Sequence, residues 1–262
     1  MMNAAAPSPH QAAPARTRIK ICGIKTELMA LVAANAGADA IGLVFVPSSP
    51  RHVLPGTASR IARVLPPMVG SIGVFMNPSD PDLQNWPGRW VQLHGREEEP
   101  QIARIAQHRR VIKGLKFNAE QVLRWNRCPH VTALLIDGSE GGGGESFHHE
   151  ELAEMMPQLN TPVILAGGLT PENVGDAIRA VRPWGVDVSS GVERERGEKD
   201  AGLIRAFCAA VREADATIEQ AGFPASPEVK AAVQSRGDEA AGAATPQIVV
   251  NMPPLGRPAG FD

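Results

Sequence analysis

The chain has 262 residues, of which 43% are hydrophobic, and this is enough for one large domain with a sizeable core. A formal net charge of −2 argues against a nucleic-acid surface or an anionic membrane as partner. Three scattered cysteines are too few for a disulfide framework or a zinc site, so we expect no metal and a reducing, cytoplasmic location. No apolar run reaches the roughly 18 residues that a membrane span needs.

The two ends of the chain differ in composition from its middle. Residues 1–17 are rich in Ala and Pro and contain no acid, which predicts a disordered leader, with a transit peptide as the alternative. Residues 217–262 are rich in Ala, Pro, Gly and charge, which predicts a mostly disordered tail. The folded domain is therefore predicted to span residues 18–216.

The first predicted strand, at residues 18–22, alternates between two kinds of side chain. Ile19 and Ile21 share one face, whereas Lys20 and Cys22 share the other. In a closed barrel the isoleucines would pack on helices and the polar row would point inward. Cys22 then lies at the carboxyl end of the strand, where parallel α/β folds place their chemistry. By itself, a free cysteine is more often a small buried packing residue.

Eight predicted strands alternate with helices along the domain, at 18–22, 38–46, 68–75, 90–94, 110–117, 132–137, 162–166 and 185–189. Thr170 is predicted to cap the helix after the seventh strand, and the last helix to run from 200 to 216. Three prolines between 78 and 89 shorten the crossover after strand three. This count predicts an α/β fold, a (β/α)8 TIM barrel. A doubly wound sheet is the alternative, but no dinucleotide fingerprint or P-loop is present.

Two glycine-containing motifs follow the last two strands. Gly167 and Gly168 end strand seven, and Ser190 and Gly191 follow strand eight. In such barrels the loops at these positions often form a phosphate site, because glycine lets backbone N–H groups approach an anion. Each motif alone is equally explained as a tight strand-to-helix turn. Together, at neighbouring strand ends, they predict a phosphate-binding site.

A set of motifs in a fixed order resembles the phosphoribosylanthranilate isomerase family. The motifs are KICGI at 20–24, GADAIGLVF at 37–45, SPR at 49–51, GVF at 73–75, VQLHG at 91–95, LID at 135–137, AGGLTPEN at 166–173 and VDVSSGVE at 186–193. The resemblance spans residues 18 to about 212 and leaves out both ends of the chain. It implies the barrel fold and an Amadori rearrangement of a small phosphosugar substrate in tryptophan biosynthesis, without metal or organic cofactor.

The resemblance also implies roles for individual residues. Cys22 matches the general base, Asp137 the general acid, and Arg51 the group that holds the anthranilate carboxylate. From the residues alone, Asp137 is a turn aspartate and Arg51 a solvated loop arginine. Asp187 is predicted to point inward from strand eight, as a positioning residue and as the alternative acid. We expect a monomer or a homodimer.

Three residues depart from the family pattern. Glu145 occupies a position where lysine is common, and Arg196 and Glu198 replace the usual proline and a common lysine. An anion near the phosphate would oppose binding, so affinity and substrate range are the properties affected. Two alternatives stay open. One is an aminoaldose isomerase of histidine biosynthesis, whose chemistry resembles a two-aspartate arrangement, whereas strand one here offers Cys22. The other is a phosphosugar-binding relative without turnover, which only the altered loops support.

Overall fold

The computed structural model describes residues 16–138 and 149–220, and it contains a closed barrel of eight parallel strands. Each strand pairs with the next in chain order, and the eighth pairs back with the first. The strands are β1 Arg18–Cys22, β2 Ala40–Val44, β3 Gly70–Phe75, β4 Trp90–Leu93, β5 Arg110–Lys116, β6 Ala133–Asp137, β7 Val163–Ala166 and β8 Gly185–Val188. The predicted (β/α)8 barrel is confirmed.

Helices follow the strands and cover the outside of the barrel. They are α1 Glu27–Ala36, α2 Pro55–Val64, α3 Asp80–Gln84, α4 Glu99–Ala106, α5 Ala119–Asn126, α6 His149–Met155, α7 Val174–Val181 and α8 Ala201–Gln220. Short 3₁₀ helices span Met156–Gln158 and Ser190–Val192, and a two-stranded ribbon consists of β9 Glu193–Glu195 and β10 Glu198–Lys199. Among the described helices, none is long and apolar enough to span a bilayer.

The crossover after β3 is shortened, as predicted. Helix α3 has only five residues and begins at a capping box between Ser79 and Asp82. Behind it, the buried Trp86 takes the place of a longer helix, and its indole N–H donates to the Trp90 carbonyl at 3.0 Å. One large aromatic side chain therefore closes the barrel wall where the prolines prevent a full helix.

Helix α7 begins later than the sequence pattern indicates. The expectation placed Thr170 as the cap, whereas the helix starts at Val174. The Asn173 side chain accepts a hydrogen bond from the Thr170 N–H at 2.8 Å and donates one to the Gly168 carbonyl at 2.9 Å. These side-chain bonds hold residues 170–173 in a turn, because asparagine competes with helical backbone pairing.

The ends of the predicted domain shift by a few residues. Arg16 pairs with Asp39, and Thr17 donates hydrogen bonds to Asp215 from its N–H at 2.9 Å and its hydroxyl at 2.7 Å. The last two residues of the predicted leader are thus attached to the barrel. Helix α8 continues to Gln220, past the predicted 216. The rest of the predicted leader and tail lies outside the described residues.

The apolar core of the described residues has three parts. The largest part lies between strands and helices, and it includes Ile19 and Ile21, which point outward as predicted. A second part, toward the carboxyl ends of the strands, consists of Cys22, Val44 and Val74. The third part lies inside the barrel and consists of Ile72, Ile112, Ala133, Leu135, Ile164 and Ala166. A cavity of about 700 Å³ opens below this inner cluster, where the strands begin. It lies at the opposite end from the carboxyl ends of the strands, so its size does not mark the catalytic end.

Candidate active site

Cys22 and Asp137 end two strands that are separated around the barrel by β7 and β8. Cys22 is the last residue of β1 and is 7% exposed, and Asp137 is the last residue of β6 and is half-buried. Gly42 of β2 makes room for the thiol. A Cβ atom at Gly42 would lie 2.7 Å from Cys22 Sγ and 3.1 Å from Lys20 Nζ. The absence of a side chain at this position therefore lets the thiol and the ammonium group occupy one small space.

Lys20 connects Cys22 to Asp187 inside the barrel. Its Nζ lies 2.8 Å from Asp187 Oδ1, and both side chains are buried. Burial alone would lower the pKa of Lys20, but Asp187 and a hydrogen bond to Cys22 raise it above its ordinary value. Burial raises the pKa of Asp187, and Lys20 opposes that effect. Because Asp187 is engaged by this ammonium group, its geometry supports the positioning role expected for it.

The Cys22 thiol lies between opposing influences. Burial raises the pKa of Cys22 above its ordinary value, while Lys20 and Lys199 act to lower it. Lys199 Nζ donates to the Ser189 carbonyl at 2.9 Å, and the Ser189 hydroxyl donates to the Cys22 carbonyl at 3.3 Å. Burial thus favours the neutral thiol, whereas the two lysines favour the thiolate.

Arg51 lies close to Cys22 but is already bound by a carboxylate of this chain. Its Nε and Nη2 donate to Glu193 Oε1 and Oε2 at 2.7 and 2.8 Å. Glu193 also accepts from Lys199 Nζ at 2.6 Å and from the Gly197 N–H at 2.9 Å. The sequence analysis placed Glu193 within a family motif without assigning it a role, and it missed Lys199. The alternation of strands gives no signal for either residue, because both lie in the ribbon after β8.

The predicted phosphate residues come from two loops that touch. Gly167 and Gly168 have φ angles of 93° and 63°, in the left-handed region that favours glycine. A Cβ atom at Gly191 would lie only 1.9 Å from the Leu169 carbonyl oxygen, so the loops after β7 and β8 are in backbone contact there. Ser190 and Gly191 form the first turn of a short 3₁₀ helix. The structure therefore brings all four predicted residues to neighbouring strand ends.

Gln92 and His94 line the inside of the barrel between the two halves of the site. Gln92 Nε2 lies 3.3 Å from His94 Nδ1, while Gln92 Oε1 is buried without a hydrogen-bond partner. Burial lowers the pKa of His94, although the nearby Asp137 and Asp187 act to raise it. The imidazole is therefore subject to the charges of both Asp137 at the end of β6 and Asp187 of β8.

Two of the three departures can be placed. Glu198 lies on β10 and pairs with Lys25 at 2.9 Å, so its charge is compensated by a cation of this chain. Arg196 is exposed at the turn of the ribbon. Glu145 lies outside the described residues. Within 16–138 and 149–220, no group of three or more His, Cys, Asp or Glu side chains is placed to hold a metal ion.

Comparisons with known proteins agree with this geometry. Residues 19–210 match the family described as N-(5'-phosphoribosyl)anthranilate isomerase. A protein of that name from Leptothrix cholodnii is 45% identical over 212 residues, which are 78% of this chain and 94% of that protein.

Solved structures lead to the same family. Phosphoribosyl anthranilate isomerase from Thermotoga maritima is 36% identical with a TM-score of 0.69, over 75% of this chain and 99% of that chain. A structure of the isomerase in complex with reduced 1-(o-carboxyphenylamino)-1-deoxyribulose 5-phosphate is also 36% identical, with a TM-score of 0.65 over the same shares of the two chains. The chain therefore belongs to the N-(5'-phosphoribosyl)anthranilate isomerase family.

Proposed function

We propose that this protein converts N-(5-phosphoribosyl)anthranilate into 1-(2-carboxyphenylamino)-1-deoxyribulose 5-phosphate, an Amadori rearrangement of L-tryptophan biosynthesis. The observation that carries the proposal is the position of Cys22 between two lysines at the carboxyl end of a barrel of this family. A related isomerase binds a reduced form of the same product. No metal or organic cofactor takes part in the proposed reaction.

Asp137 and Cys22 would act in succession. Asp137 gives a proton to the furanose ring oxygen, the bond between that oxygen and C1′ breaks, and the nitrogen lone pair forms the C1′=N iminium. The Cys22 thiolate then removes the C2′ proton, and the electrons of that bond form the enolamine. The enolamine tautomerises to the ketone product. Each proton transfer by a positioned side chain contributes roughly 10²–10⁴-fold to the rate.

The charges around Cys22 explain how a buried thiol serves as a base. Burial keeps the pKa of Cys22 above its ordinary value. Once the iminium forms, its positive charge joins Lys20 and Lys199 in stabilising the thiolate. Loss of the Cys22 proton to solvent is thereby favoured at the stage of the reaction that needs a base.

Substrate binding would use the two ends of the site. The backbone at Gly167, Gly168, Ser190 and Gly191 would bind the phosphate, since strand-end loops rich in glycine present N–H groups to anions. Arg51 would bind the anthranilate carboxylate through its planar guanidinium. The small phosphosugar is the proposed partner, and no nucleic acid or membrane is part of the function.

We further propose a monomer or homodimer that works in the cytoplasm. All three cysteines are free and buried, and free thiols fit a reducing compartment. The molecular mass in solution, measured by light scattering, distinguishes the monomer from the homodimer.

Turnover by purified variants tests the proposal. Phosphoribosylanthranilate is generated in situ, and its decay is followed by fluorescence with wild type, Cys22→Ala, Asp137→Asn and Asp187→Asn. We expect wild type to exceed the spontaneous rate, and Cys22→Ala and Asp137→Asn each to lose roughly 10²–10⁴-fold in kcat. Cys128→Ala is the matched control, because Cys128 is a buried cysteine that follows α5 at the other end of the barrel.

Each contrary result has a definite meaning. No acceleration by folded wild type would reject this function, and the aminoaldose of histidine biosynthesis would be the next substrate to assay. Full activity of Asp137→Asn with an inactive Asp187→Asn would transfer the acid role to Asp187. Binding of the phosphosugar without turnover of either substrate would indicate a non-catalytic relative.

A further inference from the structure

Glu193 occupies an unusual position for a carboxylate outside the reacting centre. Its side chain is only 3% exposed, and both oxygens accept hydrogen bonds from Arg51. A guanidinium group can bind carboxylates side-on along two edges, one formed by Nε and Nη2 and the other by Nη1 and Nη2. Glu193 takes the edge that contains Nε. The edge that contains Nη1 is the one left for another anion.

The stem of Arg51 is fixed as well as its head. A Cβ atom at Gly23 would lie 2.6 Å from Cδ and 3.1 Å from Cγ of Arg51, so the aliphatic stem lies across the backbone that follows Cys22. Gly197 packs equally closely on the Pro50 carbonyl oxygen, at 2.7 Å from the position of a Cβ atom. The backbone after β1 and the ribbon of β9 and β10 therefore both pack on the loop that carries Arg51.

We propose that Glu193 is a positioning residue for the isomerase reaction: it holds Arg51 by the Nε and Nη2 edge and presents the remaining edge to the anthranilate carboxylate. The inference deepens the proposed role of Arg51 and rests on it. Preorganisation of this kind lowers the entropy lost on binding, because an arginine side chain otherwise gives up much rotamer freedom.

Glu193 is also connected, along the chain, to the proposed phosphate-binding loop. Glu193 comes directly after the 3₁₀ helix Ser190–Val192, which carries two of the proposed phosphate residues. The same carboxylate binds Lys199, which returns to the Ser189 carbonyl. One short loop thus bears two of the four proposed phosphate residues and the support of the proposed carboxylate-binding arginine.

The substitution Glu193→Gln separates positioning from folding. Glutamine keeps the shape and one acceptor oxygen, but its amide nitrogen cannot accept the second hydrogen bond from Arg51. Loss of one charged hydrogen bond corresponds to an increase of about tenfold in KM, with kcat changed less than about threefold, because the reacting groups stay in place. Glu195→Gln on the same ribbon is the matched control, since Glu195 is exposed.

A double-mutant cycle with Arg51→Ala gives the decisive readout. If Glu193 acts through Arg51, Glu193→Gln raises KM in the wild-type background but causes no further rise in the Arg51→Ala background. The inhibition constant of inorganic phosphate should change less than about twofold in Glu193→Gln, because Arg51 is not among the proposed phosphate residues. Urea unfolding of each variant shows that the kinetic parameters belong to folded protein.

Three outcomes would overturn the inference. Equal effects of Glu193→Gln in both backgrounds would show that Glu193 acts independently of Arg51. A parallel rise in the phosphate inhibition constant would indicate a general disturbance of the loop. An Arg51→Ala variant with unchanged KM would remove Arg51 from carboxylate binding and this inference with it, whereas the isomerase function would stand on the turnover of wild type.

Discussion

Lys20 Nζ lies 2.8 Å from Asp187 Oδ1 inside the barrel, and only 4% and 8% of the two side chains are exposed. Such a buried pair gains little stability over apolar residues, because both charges lose their hydration. Lys20 also contacts the proposed catalytic base, Cys22. We infer that the pair serves the reaction by keeping an ammonium group beside the thiol, and that stability is a secondary consequence.

Removing one member of the Lys20–Asp187 pair should lower the free energy of unfolding, whereas replacing both members with apolar residues should not. We expect Lys20→Met to lower the free energy of unfolding by about 3–5 kcal/mol, because Asp187 is left buried without its partner. Lys20→Met combined with Asp187→Leu should regain most of that loss while staying inactive. Urea unfolding measures both, and Lys25→Met, which breaks an exposed pair with Glu198, should change stability by less than about 1 kcal/mol. An equal loss of unfolding free energy in Lys20→Met and Lys25→Met would contradict the argument that the buried pair is costly to break.

Alkylation should report the raised pKa of the base. Because burial raises the pKa of Cys22, its thiolate fraction at a given pH is smaller in the folded protein than in the unfolded chain. We expect the rate of reaction with iodoacetamide to rise with pH through a midpoint above that of the same cysteine in urea. Mass spectrometry of the peptide that contains Cys22 gives the rate. A midpoint equal to or below the unfolded value would mean that the lysines dominate over burial.

Low pH should weaken the hydrogen bonds between Arg51 and Glu193. Burial alone would raise the pKa of Glu193, but hydrogen bonds from Arg51, Gly197 and Lys199 lower it from 4.5 to about 2. A lowered folded-state pKa stabilises the protein above pH 4.5, and this contribution is lost as the pH falls toward 2.

The matching measurement is the free energy of unfolding between pH 6 and pH 2. We expect wild type to lose about 2 kcal/mol more than Glu193→Gln over this interval, a figure that allows for solvent screening at the rim of the site. Glu198→Gln, which removes an exposed carboxylate from the same ribbon, is the control and should follow wild type. Identical curves for wild type and Glu193→Gln would contradict the lowered pKa.

A single methyl group should separate the two phosphate loops. In Gly191→Ala the new Cβ atom would meet the Leu169 carbonyl oxygen at 1.9 Å, so the backbone must move. We expect a loss of about 1–3 kcal/mol in the free energy of unfolding and weaker inhibition by inorganic phosphate. Gly56→Ala is the control, because no atom lies within 4 Å of a Cβ atom there, and a helical alanine should be neutral or stabilising. Unchanged phosphate inhibition in Gly191→Ala would exclude this contact from the phosphate site.

The sequence was sufficient for the barrel and for the direction of its strand residues. Alternation in β1 places Lys20 inward, and the pairing of β1 with β8 follows from barrel closure, so contact between Lys20 and Asp187 could be expected once eight strands were counted. The start of α7 could not be predicted from the sequence. Thr170 and Pro171 form a standard helix start, and the competing hydrogen bonds of Asn173 depend on the local fold.

The contact between Glu193 and Arg51 could not be predicted from the sequence for a different reason. Glu193 and Arg51 are 142 residues apart in the chain and lie in loops, where neither periodicity nor barrel closure determines distances. The family motifs contain both residues without stating that they touch. Only the path of the ribbon between β8 and α8 brings them together.

The unequal parts of the core have a consequence for how this protein can change over evolutionary time. Among the described residues, most apolar packing lies between the strands and the helices, whereas the two smaller clusters consist of six and three buried side chains. Stability is thus supplied mainly from outside the ring of strands, and the positions toward the carboxyl ends contribute only the small cluster of Cys22, Val44 and Val74. New chemistry can arise there by substitution of inward residues while the scaffold stays folded, which gives the architecture its capacity to diversify.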